Sequence, residues 1–276
     1  FKEETNMVVQ HNMAASNANR QLGISTNTLS KSTEKLSSGY RINRAADDAA
    51  GLSISEKMRS QIRGLNKASS NAQDGISAIQ TAEGALNEAH SILQRMNELA
   101  TQSANDTNTT ADRTAVQSEV NALTNELSRI ASTSQFNTQN LLDGTFTGKK
   151  LQVGALENQK ITISIGTMNA KALGVASLDV KSFSKAGSAM TLIQKAISKV
   201  SGQRSELGAL QNRLEHTVNN LDNISENTQT AESRIRDTDM ASEMVQYSAT
   251  SIIQQAGQSM LAQANSQTQG VLSLIQ

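Results

Sequence analysis

Two long stretches of the sequence carry mainly apolar residues at alternating spacings of three and four. In the first stretch these positions are Leu65, Ala68, Ala72, Gly75, Ile79, Ala82, Leu86, Ala89, Leu93, Met96 and Ala100. In the second they are Ala196, Val200, Gln203, Leu207, Leu210, Leu214, Thr217, Leu221, Ile224, Thr228, Ala231 and Ile235. This spacing places the residues of each stretch on one side of an α-helix. Each stretch therefore predicts a long helix with a single apolar seam, in which Ile76 fills the place left by Gly75.

A helix with a single apolar seam cannot cover that seam by itself, so each stretch needs a partner. The two helices could each lie on a separate globular core. Repeats sustained over this many turns are instead typical of a coiled coil. We therefore favour an antiparallel pair of the two helices, which brings the two ends of the chain together.

The N-terminal part of the chain, residues 7–38, is helical in pattern but weakly apolar. Leu22, Leu29 and Leu36 form a seven-residue series, while Ser, Thr and Asn fill most other positions. So little apolar area does not offset the entropy of ordering a helix. We expect this segment to be disordered in the isolated subunit and helical once a partner covers the leucine series.

Capping signals set the ends of the predicted helices. Gly39 indicates a helix stop, and Asp47 and Asp48 indicate the next helix start. Thr110 or Asp112 can cap a third helix. The predicted helices then run over about 49–104, 111–133 and 188–236, and a last helix follows the acidic residues at 237–239.

Between the third and fourth helices the pattern changes to a period of two. Residues 149–153 and 160–165 alternate apolar and polar side chains around a loop at 154–159, which predicts a β-hairpin. Residues 173–180 are irregular, with one further short strand as an alternative. The predicted fold is mainly α, with long antiparallel helical coiled-coil rods and one small β-hairpin region.

The composition supports thin apolar seams rather than a thick core. The 276 residues include no proline and no cysteine, and aromatic residues make up 2%. The 25 basic and 25 acidic side chains balance, so no basic field is available for nucleic acid. No apolar run is long enough to span a membrane, and the N-terminus, where six residues precede Met7, lacks the apolar region of a Sec signal peptide.

The residue patterns indicate no catalytic site. His11, His90 and His216 are isolated in the sequence, and Glu215-His216 lacks the second histidine that a helical metal site needs. Neither a G-x-S-x-G elbow nor a phosphate loop of the GxxxxGK type is found. We expect no enzyme activity, no metal site and no cofactor, and we assign His90 and His216 structural roles beside the seams.

Several segments closely resemble the bacterial flagellins. Near the N-terminus they are LSSGYRINRAADDAAG at 36–51, NAQDGIS at 71–77 and QTAEGAL at 80–86. Toward the C-terminus they are LGALQNRL at 207–214, QQAG at 254–257, LAQAN at 261–265 and VLSL at 271–274. The resemblance covers nearly all of residues 7–276 and implies a subunit that polymerises into the filament of the bacterial flagellum, for motility.

The resemblance also implies how the chain is organised. Both ends form an inner tube of paired helices, and the heptad rods form an outer shell. The segments are an inner-tube helix and connector at 1–48, rod helices at 49–140, a hairpin and irregular segment at 141–187, a rod helix at 188–236 and an inner-tube helix at 237–276. Because so little lies in the middle, this is similar to a minimal flagellin without the variable outer domains.

Self-assembly is assigned to apolar residues near both ends of the chain. They are Leu22, Leu29, Leu36, Ile252, Ile253, Met260, Leu261, Val271 and Leu274. No charged side chain occurs from residue 244 to 276, which suits burial against other copies. The implied partners are other copies of the chain in a homopolymer, an export chaperone, junction proteins and a filament cap, with export by the flagellar type III route to the extracellular filament. A hook–filament junction protein is the alternative, and a monomeric receptor ligand or adhesin is a third hypothesis.

A second role follows from the resemblance alone. Residues 93–102, LQRMNELATQ, match the flagellin segment that the flagellin-sensing Toll-like receptor binds. The implied receptor contacts are Gln94, Arg95, Glu98, Leu99 and Glu119. An exposed arginine offers several donors in one plane and often anchors an interface. The alternative is that Arg95 is a solvated charge that makes filament contacts.

Overall fold

The computed structural model describes the backbone of residues 11–275 and the side chains of residues 11–267. The predicted mainly α fold is confirmed. The elements, in chain order, are α1 (Met13–Ser38), α2 (Ala49–Ser103), α3 (Thr110–Thr133), β1 (Gln135–Phe136), β2 (Gln139–Asn140), β3 (Lys149–Gln152), β4 (Lys160–Ile163), α4 (Ala170–Leu173), α5 (Phe183–Arg236) and α6 (Met240–Ile275). The first residues of the helix expected from Met7 lie outside the described part.

The chain divides into two compact units, to which α2 and α5 both contribute. Residues 61–227 form a central unit, and residues 1–60 with 228–276 form a terminal unit. The central unit contains the hairpin, α3 and most of the buried apolar side chains. The terminal unit contains α1 and α6.

The core of the central unit is the seam between α2 and α5. All eleven seam positions predicted on α2 are buried. Two hydrogen bonds cross between the helices, from the Ser69 hydroxyl to Asp222 at 3.0 Å and from the Ser225 hydroxyl to Asn66 at 2.8 Å. The pairing is therefore antiparallel, as predicted. The second seam departs from its pattern at Ile224, which is 40% exposed, while Ser225 takes the inward place.

Gly75 is buried, and the expectation that Ile76 fills its place is wrong. Ile76 is only half-buried, and Leu151 of β3 lies directly over Gly75 instead. A Cβ atom at residue 75 would collide with Leu151 Cδ1 and approach Leu214 Cδ1 at 3.5 Å. The absence of a side chain at Gly75 thus leaves a notch on α2, and Leu151 of the hairpin packs into this notch.

The hairpin has the expected position. β3 and β4 are antiparallel, with Lys149 opposite Ile163 and Gln152 opposite Lys160. Ile161 and Ile163 are buried, whereas Lys160 and Thr162 are exposed, as period two requires. The hairpin therefore presents one apolar face to the helices.

A second, very short ladder has no counterpart among the predicted elements. β1 and β2 pair across Asn137 and Thr138, whose φ angles are 46° and 62°. Two successive residues with positive φ form the tight turn that suits a two-residue hairpin. Asn tolerates this conformation, but a β-branched Thr rarely adopts it, so the sequence carries no usual turn signal here.

Residues 164–182 hold the helix α4 and no strand, so the alternative of one further strand in 173–180 is wrong. Two buried glutamines hold the segment by imitating backbone pairing. Gln117 donates to the Leu178 carbonyl and accepts from the Val180 N–H, each at 2.8 Å. Gln203 accepts from the Gly166 N–H at 3.1 Å. These side-chain amides satisfy backbone groups that a strand partner would otherwise satisfy.

The helix starts differ slightly from those predicted. α3 is capped by Thr109, whose side chain and backbone exchange hydrogen bonds with Asp112 in a capping box, rather than by Thr110 or by Asp112 alone. α5 begins at Phe183 rather than near residue 188. Ser182 precedes it and accepts from the Lys185 and Ala186 N–H groups, which allows the earlier start.

Replacing Gly75 tests the notch. Gly84 lies on the same helix, and a Cβ atom added there would meet nothing within 4 Å, so Gly84→Ala is the matched control. We expect Gly84→Ala to stabilise the protein by roughly 0.5–1 kcal/mol, since alanine favours helix. Gly75→Ala makes the same gain but displaces Leu151, and we expect it to be about 1–3 kcal/mol less stable than Gly84→Ala. Urea unfolding measures both, and equal effects would contradict the notch.

Candidate assembly and receptor surfaces

The leucine series of α1 is covered by α6 of the same chain. Leu22, Leu29 and Leu36 are half-buried, and Leu22 packs over Gly257. The partner that the N-terminal helix needs is therefore supplied from within the terminal unit. The disorder of this segment in an isolated subunit stays a prediction.

Polar contacts along α1 and α6 fix their antiparallel register. The Asn12 side chain donates to the Ala264 carbonyl at 2.8 Å, and the Gln254 amide donates to the Thr26 hydroxyl at 3.3 Å. At the other end the Lys35 ammonium lies 3.5 Å from the Glu243 carboxylate. Each contact joins positions that approach only in this one register.

The assembly residues assigned to α6 fall into two groups. Leu261 is half-buried, whereas Ile252, Ile253 and Met260 are 66%, 57% and 63% exposed. Val245, which lies outside the predicted set, is 71% exposed. We call Val245, Ile252, Ile253 and Met260 the open face of α6. The side chains of Val271 and Leu274 lie outside the described residues.

Arg236, which sequence reasoning missed, holds together the joint between α5 and the connector at 39–48. Its guanidinium lies over the Tyr40 ring, with Cζ 4.7 Å from the ring centroid, and donates to Glu56 at 2.7 Å. The Arg41 N–H donates to the Arg236 carbonyl at 2.7 Å. The hydrogen bond from Arg236 is the main reason that the pKa of Glu56 is lowered. A lowered folded-state pKa means that this contribution to stability is present above the unfolded value and is lost as pH falls through the folded value.

The start of α2 is built by the two aspartates that precede it, in different ways. Asp48 accepts from the Gly51 N–H at 2.8 Å and so caps the helix. Asp47 instead accepts from the Asn43 and Arg44 N–H groups, which closes the turn before the helix. These backbone hydrogen bonds, first among them that of Arg44, lower the pKa of Asp47.

Four of the five predicted receptor residues form one exposed group in the central unit. Arg95 on α2 donates to Glu119 on α3 at 3.0 and 3.1 Å, and to Glu98 at 3.1 Å. The hydrogen bonds of Glu119, then of Glu98, raise the pKa of Arg95, so the guanidinium stays charged. Gln94 is exposed beside them and contacts His90 at 3.0 Å.

The fifth residue requires a correction. Leu99 is 2% exposed and belongs to the core of the central unit. Because α2 turns by 100° per residue, the position after Glu98 points inward between Met96 and Ala100. The side chain of Leu99 is therefore part of the core and not of the surface.

Within residues 11–275, no helix combines the length and apolar character that crossing a bilayer requires. In the same part of the chain, three or more metal-ligating side chains nowhere come together. The two candidate surfaces indicated by the sequence are thus the open face of α6 and the group around Arg95.

Comparison with known families decides what kind of protein carries these surfaces. The family model described as the bacterial flagellin N-terminal helical region matches residues 9–147, and that described as the bacterial flagellin C-terminal helical region matches residues 190–275. The chain belongs to the bacterial flagellin family. It is a short flagellin, since only residues 148–189, with the hairpin, α4 and the first turns of α5, lie between the two matched regions.

Individual flagellins match along their whole length. Flagellin of Halalkalibacterium halodurans is 56% identical over 271 residues, which cover 98% of this chain and 100% of that protein. The flagellar filament 33 kDa core protein of Treponema phagedenis is 50% identical over 285 residues, with the same coverage. The crystal structure of Bacillus cereus flagellin is 31% identical and covers 55% of this chain and 88% of that chain, with a TM-score of 0.49. Flagellins are structural proteins and not a family of enzymes.

Replacing Arg236 tests the joint of this flagellin. We expect Arg236→Gln to loosen the connector, because it removes the cation–π contact and the charge-assisted bond to Glu56. Cleavage by chymotrypsin after Tyr40 should become several-fold faster. The matched control is Arg234→Gln, an exposed arginine on the same helix, which should leave the rate unchanged. Equal rates in the two variants would contradict a holding role for Arg236.

Proposed function

We propose that this chain is the subunit that polymerises into the helical filament of the bacterial flagellum and so serves motility. The observation that carries the proposal is the open face of α6, whose large apolar side chains are exposed on a helix without charge after Glu243. Exposed apolar surface of this kind marks an interaction site. The filament function named for the Treponema phagedenis relative supports the same proposal.

Assembly follows from how these faces are placed. α1 covers one side of α6 and leaves another side to other copies. Burying apolar side chains without any like-charge repulsion then favours stacking of the terminal units. If the contact joins two different patches and its rotation does not close, it generates an open helical filament.

Within that filament we assign each segment a place. Residues 1–48 and 237–276 form the inner tube and its connector, and the rod helices of 49–140 and 188–236 form the outer shell, with 141–187 exposed between them. The subunit is extracellular after export by the flagellar type III route. An export chaperone, junction proteins and a filament cap are its further partners. These assignments rest on membership of the family.

Seeded growth tests the filament function against the alternative of a hook–filament junction protein. Purified subunits are mixed with short filament fragments and followed by electron microscopy and circular dichroism. A filament subunit is expected to extend the seeds with a rise in helicity, and removal of residues 7–36 is expected to abolish extension. A junction protein, or a monomeric receptor ligand or adhesin, would leave the seeds unextended.

The open face can be tested without shortening the chain. We expect Ile252→Ser, Ile253→Ser and Met260→Ser together to raise the critical concentration for assembly at least about tenfold, because fully burying one large apolar side chain contributes about 1.5–3 kcal/mol. The matched control places three serines at Gln255, Gln258 and Gln263, which are exposed polar residues of the same helix. The control should stay within about threefold of the wild type. Similar effects of the two sets would contradict the assignment.

We further propose that Gln94, Arg95, Glu98 and Glu119 bind the flagellin-sensing Toll-like receptor. Their exposure on two adjacent helices supports a common surface. The ion pairs orient the Arg95 guanidinium, and its side chain remains 52% exposed. A charged planar group held in this way suits a partner that approaches the unassembled subunit.

Substituting Arg95 tests receptor binding. We expect Arg95→Ala to weaken receptor affinity about tenfold or more, as is typical of a central arginine. Arg129→Ala is the matched control, since Arg129 is also exposed, on α3, and is likewise paired with a glutamate, Glu126. Surface plasmon resonance with monomeric protein measures both. Unchanged receptor affinity of the Arg95 variant would contradict receptor binding by this surface.

A further inference from the structure

A groove lies at one end of the central unit, between the hairpin loop and the facing turns of α2 and α5. Its volume is about 470 Å³. Its apolar lining includes Leu65, Val153, Ala155, Leu156 and Leu221. Leu156 is 69% exposed at the rim, whereas Leu65 and Leu221 are nearly buried on the floor. We call this the hairpin groove. It is large enough for an aromatic side chain, and its own loop leaves it open.

An exposed aromatic side chain lies at the opposite end of the same unit. Phe183, the first residue of α5, is 59% exposed, whereas Phe136 is half-buried and Phe146 is 8% exposed. The segment before Phe183 is held at the end of α2, where the Ser103 hydroxyl donates to the Val180 carbonyl. From Leu65 to Ser103, α2 rises by about 57 Å. Phe183 therefore cannot reach the groove of its own chain.

The exposed charges nearest along the chain to Phe183 and to Leu156 are opposite in sign. Lys181 is exposed next to Phe183, and Glu157 is exposed next to Leu156. Asp179 and Lys185 are already paired with each other at 2.7 Å, which leaves the Lys181 charge at the edge of the Phe183 end. The basic groups on the groove are Arg213 and His216, which line its α5 wall. Lys181 is thus complementary to Glu157 on the hairpin rim and not to Arg213 and His216 on the helical wall, which specifies an orientation.

We propose that Phe183 of one copy inserts into the hairpin groove of the next copy, with Lys181 facing Glu157. The inference rests on the proposed filament function and names one of its contacts. Two different patches at opposite ends of one unit make a heterologous contact, which propagates instead of closing. The central units then line up head to tail, each advanced by no more than about the length of the unit.

Disulfide trapping tests the contact directly, because the chain has no cysteine of its own. A subunit with Leu156→Cys and Phe183→Cys is assembled on seeds and then oxidised. A ladder of covalent dimers, trimers and longer species is expected on a non-reducing gel. A disulfide requires the two Cα atoms to lie within about 7 Å, so a bond inside one chain cannot form across the unit. The control pairs Leu156→Cys with Leu192→Cys, which is 40% exposed and faces the opposite side of α5 from Phe183.

The test remains decisive if the double variant fails to assemble. The two single cysteine variants are then mixed with an excess of wild-type subunits, which carry filament growth, and a 156–183 dimer is expected after oxidation. Filaments without this dimer would overturn the contact while leaving the filament function intact. Equal trapping in unassembled subunits would also overturn it, since collision would then explain the bond. Failure of the wild type to form filaments would count against the filament function itself.

The energetic contribution of the contact is measured separately. Phe183→Ala is expected to raise the critical concentration for assembly about tenfold, and to leave the melting temperature of the unassembled subunit unchanged because the side chain is exposed there. Leu192→Ala is the control and should change neither quantity. Charge reversal at Lys181→Glu or at Glu157→Lys is expected to raise the critical concentration roughly two- to fivefold, and the combination should restore it. Additive losses in the combination would contradict the pairing of these two charges.

Discussion

The seam between α2 and α5 is the contact on which the rest of the central unit depends. Neither helix could persist alone, because each has one narrow apolar stripe and an otherwise polar surface. Alanine occupies many of the seam positions on α2, so the seam buries little apolar volume per turn. A seam this thin leaves its flanks uncovered. α3 and the hairpin cover those flanks, and the notch at Gly75 fixes where the hairpin sits.

The regular parts of the fold could be predicted from the sequence, since they depend on spacing and on local caps. The eleven buried positions of α2 follow from helical periodicity, and the helix stop at Gly39 follows from its left-handed conformation, with φ of 75°. The parts that could not be predicted depend on contacts between distant residues or on a backbone conformation that the residue type disfavours. Gln117 and Gln203 hold a segment that has no periodic pattern, and Thr138 makes a turn that its residue type disfavours.

The candidate surfaces, too, could be predicted only in part from the sequence. A motif match identifies a segment but does not tell which side of the helix each residue occupies, so it groups the buried Leu99 with the exposed Arg95. Likewise, apolar residues near both chain ends indicate assembly without separating the side that α1 covers from the open face of α6. The role of Arg236 could not be predicted from the sequence, because it depends on contacts with Tyr40 and Glu56, which lie far away along the chain.

Glu243, paired with Lys35, carries the last charged side chain of the sequence. Along the remainder of α6 no side chain is charged at neutral or acidic pH. Its side chains therefore form no ion pairs that counter-ions could screen. Cohesion along that length comes from exclusion of water and from amide hydrogen bonds, and excluded salts such as sulfate strengthen the first of these. In the proposed filament, the side chains of this part of α6 therefore make contacts that neither ionic screening nor protonation weakens. Ionic strength and acid pH affect the charged side chains of α6 only at its connector end, where the Lys35–Glu243 pair lies.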